Sequence, residues 1–320
     1  MDAEQVVRRS GVGFALMLGL AGCTTLPPWN LPPARLPARH FVERGQPSHL
    51  RVLLSFDDGP SNERDRSLGL DAQGLPDTPT ERILDVLGRE HISAVFFVLT
   101  GPDVEIGRQR PRGETPLGLT LLEREAREGH LVACHWGGAY HDQHRLHVAS
   151  LAEPAYDADG DGRTDRVTQP GNALESELLQ CMERVAQAYT SAGRSGERAE
   201  FVRPPLWIYR RGELDARPTY RALGLQMILT DARIYDGGLG FFPRLRTHWM
   251  TSELRRAVAL GQRSLVVALH DTQPRTASSL ETTLATIRQD MAQMGLREGT
   301  DWDFTRNAAE VRAVLRSKRW

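Results

Sequence analysis

The chain has 320 residues, enough for one large α/β domain or two smaller ones. Its 40 basic and 41 acidic side chains balance, so composition gives no general attraction to nucleic acid or to an anionic membrane. A hydrophobic content of 40% with 7% aromatics is that of an ordinary globular protein and excludes a disordered or collagen-like chain.

The first residues read differently from the rest. Arg8 and Arg9 precede an apolar run from Val12 to Ala21, shorter than the roughly 20 residues that span a bilayer. A basic start, a short apolar stretch and small residues at its end predict a secretory signal over residues 1–22. Leu20-Ala21-Gly22-Cys23 resembles a bacterial lipobox. That resemblance implies lipidation of Cys23 and anchoring in the cell envelope by acyl chains that do not cross the membrane. Residues 23–47 are a proline-rich tether without helical or strand period, and the folded domain is expected over 48–320. Cys134 and Cys181 are the remaining cysteines; in an exported protein they are candidates for one disulfide, and the sequence leaves the pairing open.

The domain opens on Arg51-Val-Leu-Leu-Ser-Phe-Asp57-Asp58-Gly59-Pro60. The apolar run has the length of a buried strand, and Gly-Pro ends it sharply. Adjacent strand residues point to opposite faces, so Asp57 and Asp58 serve one site only if the turn re-aims one of them. Residues 61–79 read as a loop. Thr80 is then expected to cap a helix with Ile83, Leu84 and Leu87 on one face. Ala94–Leu99 is a continuous apolar run, as in a buried parallel strand.

Further on, a helix is expected over Leu117–Glu128, a strand over His130–His135, a helix over 174–190 and short strands at Phe201–Val202 and Gln226–Asp231. Leu265–His270 is another strand, and Ser279–Gly295 a final helix. Strand after strand thus ends in a reactive side chain: Asp57/Asp58, His135, Arg203, Asp231 and His270. In a parallel barrel those ends share one face. Carboxylate and imidazole ligands suit zinc or a similar divalent ion with an open position for water. A second acid can deprotonate that water and a second histidine protonate a leaving group, which describes a metal-assisted hydrolase of amides or esters.

Ser-Phe-Asp-Asp-Gly-Pro, the strand-borne His135, Arg203-Pro-Pro, Thr-Asp231 and Leu-His270-Asp resemble, in order, the motifs of the polysaccharide deacetylases, carbohydrate esterase family 4, whose domain is also called NodB homology. The resemblance spans residues 50–315. It implies a distorted (β/α) barrel of about seven strands that removes N-acetyl groups from an amino-sugar polymer. Residue by residue, it implies Asp57 as general base and Arg203 as the base's partner. It also implies His270 as general acid, with Asp231 behind it, and Asp58 and His135 as metal ligands. The metal implied is zinc, with cobalt or nickel as substitutes, and Trp207 and Tyr209 are candidates to line a sugar groove. His130 and His147 read as structural or exposed, and Asp236 and Asp271 as turn or capping acids.

Three departures from the family pattern matter. The second histidine ligand is usually four residues after the first, where this chain has Ala139; His141 or His144 can replace it, and His141 needs the shorter excursion. Cys134 and Trp136 flank His135 in place of polar residues, and a Cys134 thiolate would compete as a ligand. Leu206 follows Arg-Pro-Pro where an aromatic residue is common. Separately, Asp157, Asp159, Asp161 and Asp165 with Gly162 have the spacing of a calcium loop, with Thr168 in place of the closing glutamate and Glu175 or Glu177 as substitutes.

The expected protein is a lipid-anchored, metal-dependent deacetylase of an envelope glycan, peptidoglycan or poly-N-acetylglucosamine, on the periplasmic or outer surface side. No nucleic-acid partner is expected, and the sequence leaves the oligomeric state open. The alternatives are a hydrolase of small amides or O-acetyl esters on the same fold, and a glycan-binding lipoprotein without catalysis.

Overall fold

The computed structural model describes residues 49–70, 73–101, 116–137, 155–156, 165–166, 172–211, 214–233 and 252–318. All described residues lie in one unit, Val42–Trp320. The expected signal, Cys23 and the whole of the tether lie outside the described residues. Among the described residues, no helix is long and apolar enough to cross a membrane.

Strand β1 (Leu50–Gly59) is central, and seven further strands are arranged about it. They are β2 (Val95–Leu99), β3 (Leu131–Trp136), β4 (Phe201–Val202), β5 (Gln226–Met227), β6 (Ala232–Arg233), β7 (Ser264–His270) and β8 (Trp302–Phe304). All pairings in this sheet are parallel, in the order β6-β7-β1-β2-β3-β4-β5, with β8 pairing the first residues of β1 before β2 takes over that edge. The two end strands, β5 and β6, are joined by Ile228–Asp231 alone. In that link Ile228 N–H donates to Val202 O of β4, while Asp231 N–H donates to Val266 O of β7. One short segment therefore stitches both edges, and the sheet must curl into a distorted barrel of the expected kind.

Side-chain alternation along β1 produces two apolar layers. Val52, Leu54 and Phe56 belong to an outer layer beneath the helices, together with Phe96, Val98, Val132 and Trp136. Leu53 belongs to an inner cluster with Phe97, Leu131, Phe201, Ile228 and Val266. The helices are α1 (Pro79–Arg89), α2 (Pro116–Arg127), α3 (Asn172–Ser191), α4 (Arg217–Ala222), α5 (252–259), α6 (Pro274–Gln293) and α7 (Ala308–Ser317). Val311, Val314 and Leu315 of α7 join the inner cluster and close the barrel at the starts of the strands. The sequence reading ended at the helix before β8 and did not anticipate this plug.

The start of α1 corrects one expectation. Thr78, not Thr80, is the N-cap: its side chain accepts from Glu81 N–H while the Glu81 carboxylate accepts from Thr78 N–H, with Pro79 at the first helical position. Thr80 is thereby left for another task, described below.

Cys134 of β3 and Cys181 of α3 form a disulfide with Cα atoms 5.9 Å apart. A cross-link over 47 residues contributes about 4 kcal/mol by restricting the unfolded chain. It also removes Cys134 as a thiolate ligand, overturning that expectation.

His130 is structural. Its Nδ1 accepts from Ala94 N–H at 3.1 Å, and its ring meets Phe96 edge-on at 5.3 Å. Burial, then the charges of Arg124 and Arg194, lower its pKa to about 3. A histidine depressed in the folded state contributes stability above its unfolded pKa, about 6.5, that is lost as pH falls toward 3. Between pH 7.5 and 5 this residue is expected to cost the wild type about 2 kcal/mol of unfolding free energy. In His130→Gln that pH-dependent part should vanish in urea titrations at the two pH values; an unchanged pH dependence would contradict a neutral buried imidazole.

Candidate active site

The inner face of β1 carries Leu53, Ser55 and Asp57 in succession, so Asp57 enters the barrel near its open, C-terminal end. Asp58 would point outward in a regular strand. The ladder between β1 and β2 shifts register between Asp57 and Gly59, and Asp58 has φ +72°. This bulge turns the second carboxylate back toward the first. Positive φ on a non-glycine residue carries local strain, which surrounding structure must hold in place.

The turn is held from behind. Asp271, fully buried, accepts from Thr80 Oγ1 at 2.8 Å, and Thr80 Oγ1 accepts from Ser61 N–H at 2.8 Å. A Cβ on Gly59 would stand 1.8 Å from Asp271 Oδ2. Gly59 is thus required by close approach, and Asp271 is the structural acid expected of it, braced by the first turn of α1.

Arg203, at the end of β4, crosses the interior with no exposed surface. Its Nη1 donates to Asp57 Oδ1 at 2.6 Å and to Ser55 Oγ at 2.8 Å, and its Nη2 donates to Leu229 O at 2.9 Å. Its guanidinium lies 4.1 Å from the centre of the Phe97 ring. Burial lowers the Arg203 pKa, while the charges of Asp57 and, less strongly, Asp231 oppose that shift. Arginine retains its proton through such a shift because its ordinary pKa is so high.

His135 completes the buried set. Its Nδ1 lies 2.6 Å from Arg203 O, a carbonyl that can only accept, so Nδ1 carries a proton and, in the neutral ring, Nε2 presents the lone pair. That Nε2 is 3.0 Å from Asp58 Oδ1. Two electron-pair donors facing each other at this distance fit a cation held between them, and the donor types suit zinc or a similar divalent ion. His270 ends β7 beside Asp57, its register partner, and its Nε2 is 3.9 Å from Asp58 Oδ2. One-third exposed at the side chain, His270 is the most exposed member of the set, ahead of Asp58.

The family model for polysaccharide deacetylase matches residues 44–228. The chain belongs to the polysaccharide deacetylase family. One solved structure shows the same fold at low identity, and others are similar. The chitin deacetylase of the fungal pathogen Colletotrichum lindemuthianum is 19% identical, with 85% of this chain and 92% of that one covered and a TM-score of 0.50. The polysaccharide deacetylase Bc1974 of Bacillus cereus is 16% identical over 81% and 91% of the two chains, with a TM-score of 0.48. The catalytic domain of the peptidoglycan N-acetylglucosamine deacetylase of Eubacterium rectale is 18% identical over 80% and 87%, with a TM-score of 0.46. No curated protein matches the chain.

Within this deacetylase-family chain, the structure brings Asp57, Asp58, His135, Arg203 and His270 together at the open end of the barrel. It moves Asp231 elsewhere. The Asp231 Oδ2 atom accepts from Val266 N–H at 2.8 Å and from Lys318 Nζ at 2.5 Å. Val266 precedes His270 by four strand residues, roughly 13 Å at about 3.3 Å per residue. These contacts correct the role of an acid behind His270, because the carboxylate is engaged toward the closed end of the barrel.

The two aromatic candidates follow a turn of unusual backbone and are partly buried. After Pro205, Leu206 and Trp207 have φ of +52° and +62°, two consecutive left-handed residues. The turn packs Trp207 and Tyr209 against the outer apolar layer, with Arg217 5.4 Å from the Tyr209 ring centre. Leu206, 51% exposed, is the apolar side chain the turn presents. His141, His144, Asp157, Asp159 and Asp161 lie outside the described residues; for Asp165 the backbone alone is described, in a short antiparallel pair with Tyr156. Among the described residues no group of three or more His, Cys, Asp or Glu side chains is placed to hold a metal ion.

Ser55, Thr80 and Asp271 are supporting residues that sequence reasoning did not assign to the site. A period-2 reading of β1 would have placed Ser55 with Asp57; nothing local signals the pairing of Thr80 with Asp271. Gly59→Ala is expected to destabilise the fold by about 1–3 kcal/mol, since the added methyl meets a buried, hydrogen-bonded carboxylate. Denaturant unfolding measures this, and an unchanged midpoint would contradict the close approach.

Proposed function

We propose that the chain is a metal-dependent deacetylase of an N-acetylated glycan of the cell envelope, with peptidoglycan and poly-N-acetylglucosamine as the nearest substrates. The observation that carries the reading is the buried Asp57–Arg203 pair beside the facing Asp58 and His135. A protein that only bound sugar would have no use for a buried carboxylate paired with an arginine next to a ligand pair. Asp58 and His135 would hold the divalent cation, zinc by donor type, with His141 or His144 as third ligand. When bound, such an ion supplies Lewis-acid stabilisation and acidifies water.

The remaining chemistry belongs to the chain. Arg203 occupies Oδ1 of Asp57, which leaves Oδ2 to take the proton of the attacking water. Oxygen adds to the acetyl carbonyl carbon, and the C–N bond breaks as the amine leaves. His270, on the neighbouring strand and partly exposed, gives that amine its proton. The products are acetate and a free amino sugar. Leu206, exposed at the Arg-Pro-Pro turn, would meet the substrate in place of an aromatic side chain. We also infer that the enzyme works in the envelope, tethered through Cys23.

The test is acetate release from N-acetylglucosamine oligomers and from peptidoglycan by residues 24–320 loaded with zinc, beside Asp57→Asn and His270→Ala. Each substitution is expected to lower kcat by about 10²–10⁴-fold while metal content stays at the wild-type level. Absence of acetate from the zinc-loaded wild type on both substrates would overturn the reading.

A further inference from the structure

Four buried charges of alternating sign run from the site to the closed end of the barrel: Asp57, Arg203, Asp231 and Lys318. Asp57 is 1% exposed, Arg203 0% and Lys318 8%, and the Asp231 side chain is 3% exposed. The first contact is Arg203 Nη1 to Asp57 at 2.6 Å, the last Lys318 Nζ to Asp231 at 2.5 Å. Between them, Arg203 Nη2 grips Leu229 O, on the same four-residue link that carries Asp231. The Asp231 charge raises the Arg203 pKa in the same sense as Asp57, though less strongly. Arg203 is therefore placed between two carboxylates, one at the site and one at the plug.

Which carboxylate Arg203 serves depends on how the other is satisfied. Asp231 Oδ2 receives the Val266 N–H as well as the Lys318 ammonium, and Lys318 Nζ is fixed by a second bond, to Ser264 O at 2.9 Å. The backbone after α7 is anchored too, because Gln226 Nε2 donates to the carbonyls of Leu315 and Lys318. We propose that Lys318 is a positioning residue: by neutralising Asp231 at the closed end, it keeps Arg203 committed to Asp57 at the open end. Removal of the ammonium alone leaves Asp231 as a buried charge with Arg203 the remaining cation of the row. The guanidinium is then drawn along the barrel axis, and Asp57 loses its orientation. Removal of both Lys318 and the Asp231 charge takes away the pull as well as the counter-charge.

The kinetic consequence rests on the proposed deacetylase activity; the shift of Arg203 does not. Lys318→Met, Lys318→Arg and the double variant Asp231→Asn/Lys318→Met are compared with the wild type well below their unfolding midpoints, with folding checked by circular dichroism. Lys318→Met is expected to lower kcat about 10- to 100-fold with KM within about twofold, as for a misplaced catalytic group. Lys318→Arg should keep kcat within about threefold, and the double variant should recover to the same range. The second readout is the nitrogen-15 resonances of the Arg203 guanidinium, which should move in Lys318→Met and return in the double variant. A folded Lys318→Met with wild-type kcat and unmoved resonances overturns the proposal, as does a double variant no better than the single one. Where the wild type releases no acetate, the resonances decide: movement and return support the charge row while the deacetylase reading falls.

Discussion

The structure depends on the burial of Arg203. A guanidinium inside a barrel loses its hydration, a cost of several kcal/mol unless its donors are matched. Here Asp57, Ser55 and Leu229 O accept from its terminal nitrogens and the Phe97 ring covers one face. Its own carbonyl fixes the tautomer of His135. One residue thus orients the proposed base, sets the lone pair of a ligand histidine and ties β4 to β1 and to the link that closes the sheet. Moving it would disturb all of these together.

Around that centre the fold separates precision from bulk. The outer apolar layer between sheet and helices is the larger one and carries most of the burial energy. The inner cluster is small, and toward the open end it gives way to Ser55, Asp57, Arg203 and His135. A polar interior of this kind is held by the bonds that Arg203 makes to Asp57, Ser55 and Leu229 O and by the contact of His135 with Arg203 O. The strain at Asp58 and at Leu206–Trp207 lies at the same end, where the bulge and the Arg-Pro-Pro turn meet the site. The disulfide reinforces that end, since Cys134 precedes His135 and fastens β3 to α3.

Strand ends were legible because they depend on composition and local order. Val52–Phe56 is apolar in any context, Gly-Pro stops a strand in any context, and a run of βα units places the strand ends on one face. Asp57, Asp58, His135, Arg203 and His270 could be collected on those grounds. Asp231 was misassigned for a related reason. It follows an apolar run and so resembles a strand end, but Gln226–Met227 is only a short edge strand, and the residues after it turn across the gap in the sheet. The turn after Arg-Pro-Pro was not legible either: no local rule foretells that Leu206 and Trp207 both adopt left-handed backbone.

The sequence by itself determined the class of fold, the polarity of the parallel sheet, the acids and histidines at its open end and the helical faces that cover it. These follow from hydrophobic period and from breakers acting within a few residues. Tertiary structure alone decided which groups meet. The bulge that re-aims Asp58 forms against β2, and the Cys134–Cys181 bond, the brace of Thr80 on Asp271 and the charge row ending at Lys318 join residues 47 to 191 positions apart. Such contacts are chosen by the closure of the barrel, which brings side chains together irrespective of their separation along the chain.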